Sequence, residues 1–213
     1  THRYCKEMIL SNSNFKLFFI IKIILIYFIL SFKSYSDSST NNNLVVIGPN
    51  EAVVKIKIFS SFTCPHCADF HIKVVPKIKK KYVDVGKVQL IFIDFPLDQA
   101  AFNASKLLHC LDKTKQVAFL DTIYETQMKW ANASNIDDIN KNLKKIVKNL
   151  GISSAQFDKC LIDEGISDKI LNGRINAHQK YTINATPTIV INEEKLEGSA
   201  SFKNIEKKIE KLI

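Results

Sequence analysis

Val53–Ser60 (VVKIKIFS) alternates apolar and polar side chains, is rich in β-branched residues, and leads directly to Cys64-Pro65-His66-Cys67. No other feature of the chain constrains its fold as much. The alternation predicts a strand. Pro65 suits the first position of a helix, where its missing N–H costs nothing. The helix so opened runs to about Tyr82, with a kink or break at Pro76. Lys87–Ile93 (KVQLIFI) predicts a second strand. Strand, helix and strand at this spacing make a βαβ unit with a parallel pair. The two cysteines therefore sit where a strand ends and a helix begins.

That placement has chemical consequences. A C-x-x-C in a βαβ unit is the thioredoxin-like redox arrangement. Two thiols three residues apart on a first helical turn can close a small disulfide ring. The first sulfur lies where unsatisfied N–H groups and the helix dipole favour a thiolate. Thiolate is the attacking species in disulfide exchange, and a low-pKa thiolate is also a good leaving group. His66, between the cysteines, adds a positive charge or a hydrogen-bond donor. By favouring the reduced form it would make the disulfide a stronger oxidant. One C-x-x-C supplies only half of a zinc site, and no second one follows, so no metal is expected. A plain structural disulfide is the remaining alternative for this pair.

The amino terminus reads as an address. Leu17–Leu30 (LFFIIKIILIYFIL) is 14 residues long and apolar except for Lys22. That falls short of the ~20 apolar residues that span a bilayer core as a helix. It fits the hydrophobic segment of a secretory signal, with Lys16 as its positive flank and Ser34 and Ser36 as small residues before Asp37. Residues 1–36 are thus expected to be a signal peptide or an uncleaved N-terminal anchor. Met8 makes a tidier start, which leaves Cys5 upstream. Either reading places the remainder outside the cytoplasm, where disulfides persist. Asp37–Asn43 (DSSTNNN) is a polar linker. The formal charge is +9, but 28 of the 30 cations are lysine. Ile, Lys and Asn together supply 74 of 213 residues, the usage of an AT-rich genome. The basic balance therefore reads as solvated lysine, with no nucleic acid implied.

Leu44–Ile47 is a short apolar run stopped by Gly48-Pro49-Asn50. From Asp98 to about Thr182 no strand pattern recurs. Helices are predicted over Gln99–Leu111, Gln116–Trp130, Asn135–Leu150, Ser153–Asp163 and Ser167–Tyr181. Strands resume at Thr188–Ile191, with Glu193-Glu194 as a turn and Lys195–Glu197 as a hairpin partner. Ser201 caps a final amphipathic helix over Phe202–Ile213.

These segments resemble a known family. Ser60-Ser61-Phe62-Thr63-Cys64-Pro65-His66-Cys67 is similar to the active-site segment of the DsbA family of periplasmic thiol:disulfide oxidoreductases. Phe95-Pro96-Leu97 resembles that family's entry into its helical domain, and Ala185-Thr186-Pro187-Thr188 resembles its cis-proline loop. The likeness runs from about Leu44 to Ile213. It implies an α/β, thioredoxin-like fold over 44–213, with an inserted all-helical subdomain over about 98–182. It implies a redox-active Cys64–Cys67 disulfide with Cys64 as nucleophile, Cys67 as resolving thiol and His66 as tuner of the thiolate. It also implies a cis Thr186–Pro187 bond, beside which an extended substrate would find free backbone groups. Thioredoxin-like proteins often place a buried acid six residues before the first cysteine; that position here is Ile58, and no acid stands nearby in sequence.

Cys110 and Cys160 both fall in the helical region. In an oxidising compartment, two leftover cysteines of one subdomain are expected to pair. Some members of the family carry such a second, non-catalytic disulfide. Two buried free thiols are the alternative. His2, His71, His109 and His178 receive no role, His71 being expected as a solvated helix residue. Trp130 is expected to pack within the insert. The expected activity is the introduction of disulfides into reduced exported proteins, in the periplasm, by a monomer without a cofactor. A DsbB-like membrane quinone reductase is the implied reoxidant. A disulfide isomerase or reductase of the same fold, or a thiol-dependent chaperone, is the alternative.

Overall fold

In the computed structural model, which describes residues 44–213, the sheet grows outward from one parallel pair. The expected signal or anchor, Met8, Cys5 and the 37–43 linker lie outside the described residues. β1 (Val45–Ile47) and β2 (Val54–Ser60) flank β3 (Val88–Asp94), the first antiparallel and the second parallel to it. β4 (Thr188–Ile191) pairs antiparallel with the other edge of β2, and β5 (Glu194–Lys195) completes a hairpin with β4. The strand order is β1-β3-β2-β4-β5.

The alternation in β2 buries Val54, Ile56 and Ile58 in the main core. Lys55 and Lys57 alternate to the second face. Phe59, on that same face, joins a smaller core with Phe95, Ala177, Ile183 and Val190. β3 is buried through Phe92, which is why its sequence lacks a clean alternation.

The crossover from β2 to β3 begins with α1 (Pro65–Lys73). The chain breaks at Val74 and resumes as α2 (Val75–Ile78), followed by a π-helical turn over Lys79–Val83. The break expected from Pro76 thus falls just ahead of the ring, which supplies no N–H and crowds the preceding turn. Six helices separate β3 from β4: α3 (Gln99–Cys110), α4 (Lys113–Glu125), α5 (Gln127–Trp130), α6 (Ile136–Asn149), α7 (Ser154–Ile162) and α8 (Glu164–Tyr181). α9 (Phe202–Ile209) follows β5. The fold is α/β and thioredoxin-like, with an all-helical insertion.

Several boundaries differ from the sequence reading, each for a local reason. α4 starts at Lys113 rather than Gln116. It stops at Thr126, whose hydroxyl donates back to the Thr122 carbonyl at 2.6 Å, so that Gln127–Trp130 forms a separate turn. α8 starts at Glu164 rather than Ser167. Asp163 ends α7 and caps α8 by accepting the Ile166 N–H at 2.8 Å; Gly165 and Gly173 weaken the helical pattern that would reveal this start. The hairpin turns at Asn192-Glu193, with φ of 45° and 71°, not at Glu193-Glu194. Its second strand is therefore Glu194–Lys195 rather than Lys195–Glu197. Such a turn usually announces itself with glycine. Here Asn192 is held in place by accepting the Lys55 N–H at 2.7 Å and donating to the Val53 carbonyl at 3.1 Å. α9 ends at Ile209 instead of continuing to Ile213. Among the described residues no helix is long and apolar enough to cross a membrane.

Candidate active site

Cys64 is the N-cap of α1, in extended conformation at φ −76° and ψ 118°, and Pro65 takes the first helical position. The Cys64 carbonyl accepts the N–H of Cys67 at 3.1 Å and of Ala68 at 3.2 Å. No side chain caps this helix start, so its positive end is left to the cysteine sulfur. Both cysteines are free thiols in this structure. Cys64 retains 8% of its exposure and Cys67 1%, while Pro65 and His66 stand exposed at the rim. The Cys64 thiol donates to the Thr186 carbonyl at 3.3 Å, and the Thr186–Pro187 bond is cis. Burial pushes the Cys67 thiol up to about 12; the Ser61 backbone and the Thr186 side chain oppose that rise, and the neighbouring Cys64 adds to it. The fold therefore gathers Cys64, Cys67, Thr186 and Pro187 at one point, although 122 residues separate Cys64 from Thr186.

Behind the cysteines lie polar groups that the sequence reading passed over. Tyr124 of α4 is buried, and that burial pushes its phenol well above the usual range. Its ring packs 5.3 Å from Phe62 and 4.9 Å from His71. His71 is not a solvated helix residue: it is 6% exposed, and its Nε2 meets Asp121 Oδ1 at 2.8 Å. It lies four residues after Cys67, so both fall on the inward face of α1. Burial lowers its pKa, against the pull of Asp121 and Glu125. His109, likewise given no role, pairs with Asp94 at 2.6 Å. Burial disfavours the charge on His109, but the Asp94 carboxylate outweighs it and the net direction is upward. Ser105 donates to the same carboxylate at 2.9 Å. Asp94 pairs in register with Ser60. Ile58 is apolar and buried as expected, and a carboxylate instead stands at the end of the adjacent strand.

The loop ahead of Cys64 is held by the helical insert. Ser61 Oγ accepts the Leu97 N–H at 3.3 Å, and the Thr63 hydroxyl donates to Asp98 at 2.6 Å. Asp98 in turn caps α3 through the Ala101 N–H at 2.8 Å. Gln127 of α5 is buried, and its Nε2 donates to the Phe62 carbonyl at 2.8 Å and the Cys64 carbonyl at 3.0 Å. A lone glutamine carries no motif or periodicity that would single it out. Elsewhere in the insert, Cys110 at the end of α3 is bonded to Cys160 in α7 at 2.04 Å. The Trp130 indole donates to the Ile123 carbonyl at 2.8 Å from a fully packed position.

Known proteins share this fold and much of this sequence. A family model described as thioredoxin matches residues 40–211. The probable disulfide bond formation protein D of Bacillus cereus is 30% identical over 171 residues, which cover 78% of this chain and 76% of that protein. The disulfide bond formation protein D of Bacillus subtilis is 27% identical, with 78% and 75% covered. The crystal structure of Wolbachia pipientis alpha-DsbA1 superposes with a TM-score of 0.73 at 32% identity, covering 80% of this chain and 91% of that one. Fold and relatives thus converge, and the chain belongs to the DsbA family of thiol:disulfide oxidoreductases.

Proposed function

We propose that this protein introduces disulfide bonds into exported proteins by cycling Cys64 and Cys67 between disulfide and dithiol. The observation that carries this reading is the inequality of the two sulfurs. Cys64 caps a helix beside Thr186 and keeps 8% of its exposure, whereas Cys67 keeps 1% and has its thiol pushed up to about 12. In the oxidised protein a substrate thiolate attacks Cys64 Sγ. The Cys64–Cys67 bond breaks, and Cys67 takes the electron pair and then a proton, which its high pKa favours. A second substrate thiolate attacks the substrate sulfur of the mixed disulfide, and Cys64 leaves as thiolate. Two substrate thiols thereby lose two electrons and two protons in all. Exposed His66 supports the thiolate electrostatically. Thr186 and Pro187 offer backbone beside the sulfur to an extended substrate.

The cycle needs an oxidant for the dithiol. A quinone-linked membrane protein resembling DsbB fills that role for this protein, a monomer acting in the periplasm. The Cys110–Cys160 bond is structural and does not cycle. The test is a pair of variants. Cys64→Ala abolishes oxidation of a reduced substrate, and Cys67→Ala accumulates mixed disulfides with substrates. An active Cys64→Ala protein, with no adduct on Cys67→Ala, would overturn the assignment.

A further inference from the structure

We infer that Gln127 is a positioning residue for the nucleophile: its buried carboxamide fixes the peptide carrying Cys64 and so tunes the redox equilibrium of the cysteine pair. This rests on the reading of Cys64 as the attacked sulfur. A carboxamide nitrogen has two N–H donors. In Gln127 one reaches the Phe62 carbonyl at 2.8 Å and the other the Cys64 carbonyl at 3.0 Å. Those two carbonyls bracket Thr63, so a single side chain holds both ends of the short segment that presents Cys64.

The chemistry of the contact explains why this residue type suits the position. The Cys64 carbonyl already accepts from the Cys67 and Ala68 N–H groups. With Gln127, three donors converge on the oxygen of the reactive cysteine itself. They offset the negative end of a dipole that lies next to the sulfur. A glutamate would set acceptor against acceptor, and an apolar side chain would leave the Phe62 carbonyl without its Gln127 donor and the Cys64 carbonyl with its two helical donors alone. Of the other anchors of this loop, Thr63 to Asp98 is exposed, so water can replace it, while Ser61 to Leu97 is part-buried. Gln127 is only 5% exposed, and water has no comparable access there.

The consequence depends on redox state. A thiolate next to a carbonyl dipole that has lost one of three donors is penalised, whereas a disulfide sulfur carries no charge to penalise. Loss of the two donors therefore destabilises the reduced protein more than the oxidised one. It also removes one of the ties between the nucleophile loop and the insert, which disturbs the thiolate geometry at the helix start.

The test is Gln127→Met, which keeps length and bulk but removes the donors. Its dithiol–disulfide equilibrium against a glutathione buffer should move about fivefold toward the disulfide, on the order of 1 kcal/mol for one net hydrogen bond. Thermal unfolding should show a larger loss for the reduced form than for the oxidised form. An unchanged glutathione equilibrium, with equal losses in both forms, would make Gln127 a packing residue and overturn the inference. Should Gln127→Met fail to fold, Gln127→Asn, with the same amide one methylene shorter, is read by the same two outcomes. Failure of the underlying reading looks different: the wild-type protein would then show no reactive Cys64, whatever stands at position 127.

Discussion

Alkylation of the reduced protein at mild pH should modify Cys64 and leave Cys67 nearly untouched. Burial is the leading cause, and it carries the Cys67 thiol from an ordinary 9.0 to about 12. At a pH well below 9 that change lowers the thiolate population about 1,000-fold, since each pKa unit is a factor of ten. The side chain is also 1% exposed, so access slows the reaction further. The assay is iodoacetamide labelling with acid quench and peptide mass spectrometry, run on folded protein and on protein in urea. Cys64→Ser isolates the buried thiol. The charge of Cys64 is a minor contributor to the Cys67 shift, so labelling in that variant should remain at least several hundred-fold slower than in urea. The folded-state rate should also keep rising past pH 10, where an ordinary thiol has levelled off. Labelling of folded Cys67 within tenfold of the urea rate would refute the reasoning, and with it the inequality on which the order of attack rests.

Two further outcomes are expected. Replacing both Cys110 and Cys160 by alanine opens a loop of 50 residues, about 4 kcal/mol in the chain-entropy model. Calorimetry should find the melting temperature lower by roughly ten degrees for a domain of this size, with the glutathione equilibrium of the CPHC pair nearly unchanged; a melting temperature equal to wild type would contradict the loop argument. Two histidines, His71 buried and His109 half-buried, should limit stability on opposite sides of pH 6.5. His71 has a folded pKa below its ordinary 6.5, so it binds its proton more readily when unfolded, and stability falls as pH drops below 6.5. His109 has a folded pKa above 6.5, so its contribution is complete below 6.5 and is lost as pH rises through the folded value. Melting temperature against pH should therefore lose its acid-side decline in His71→Phe and its alkaline-side decline in His109→Gln. Identical profiles in wild type and both variants would remove the histidines as the cause.

What the sequence determined by itself is whatever depends on neighbours a few residues apart. The period-two pattern of Val54–Ile58 makes β2, the fixed φ of Pro65 starts α1, and the two place Cys64 and Cys67 on the first turn of a helix. Ser153, Asn135 and Ser201 cap the helices that follow them for the same local reason. The surroundings of the cysteines obey longer separations. Hydropathy would bury Ile72 of α1 and expose His71, yet Ile72 is 44% exposed and His71 is 6% exposed. The helical period from Cys67 passes through 71, and Asp121 and the Tyr124 ring wait there from a helix that only folding brings alongside. Asp94 and His109 meet because the end of β3 lies under α3. Gln127 reaches carbonyls 65 and 63 residues away. Side-chain partners at such distances leave no period or local propensity in the chain. Their positions follow from how the insert packs on the sheet, so tertiary structure alone decided what surrounds a cysteine pair that the sequence had already placed.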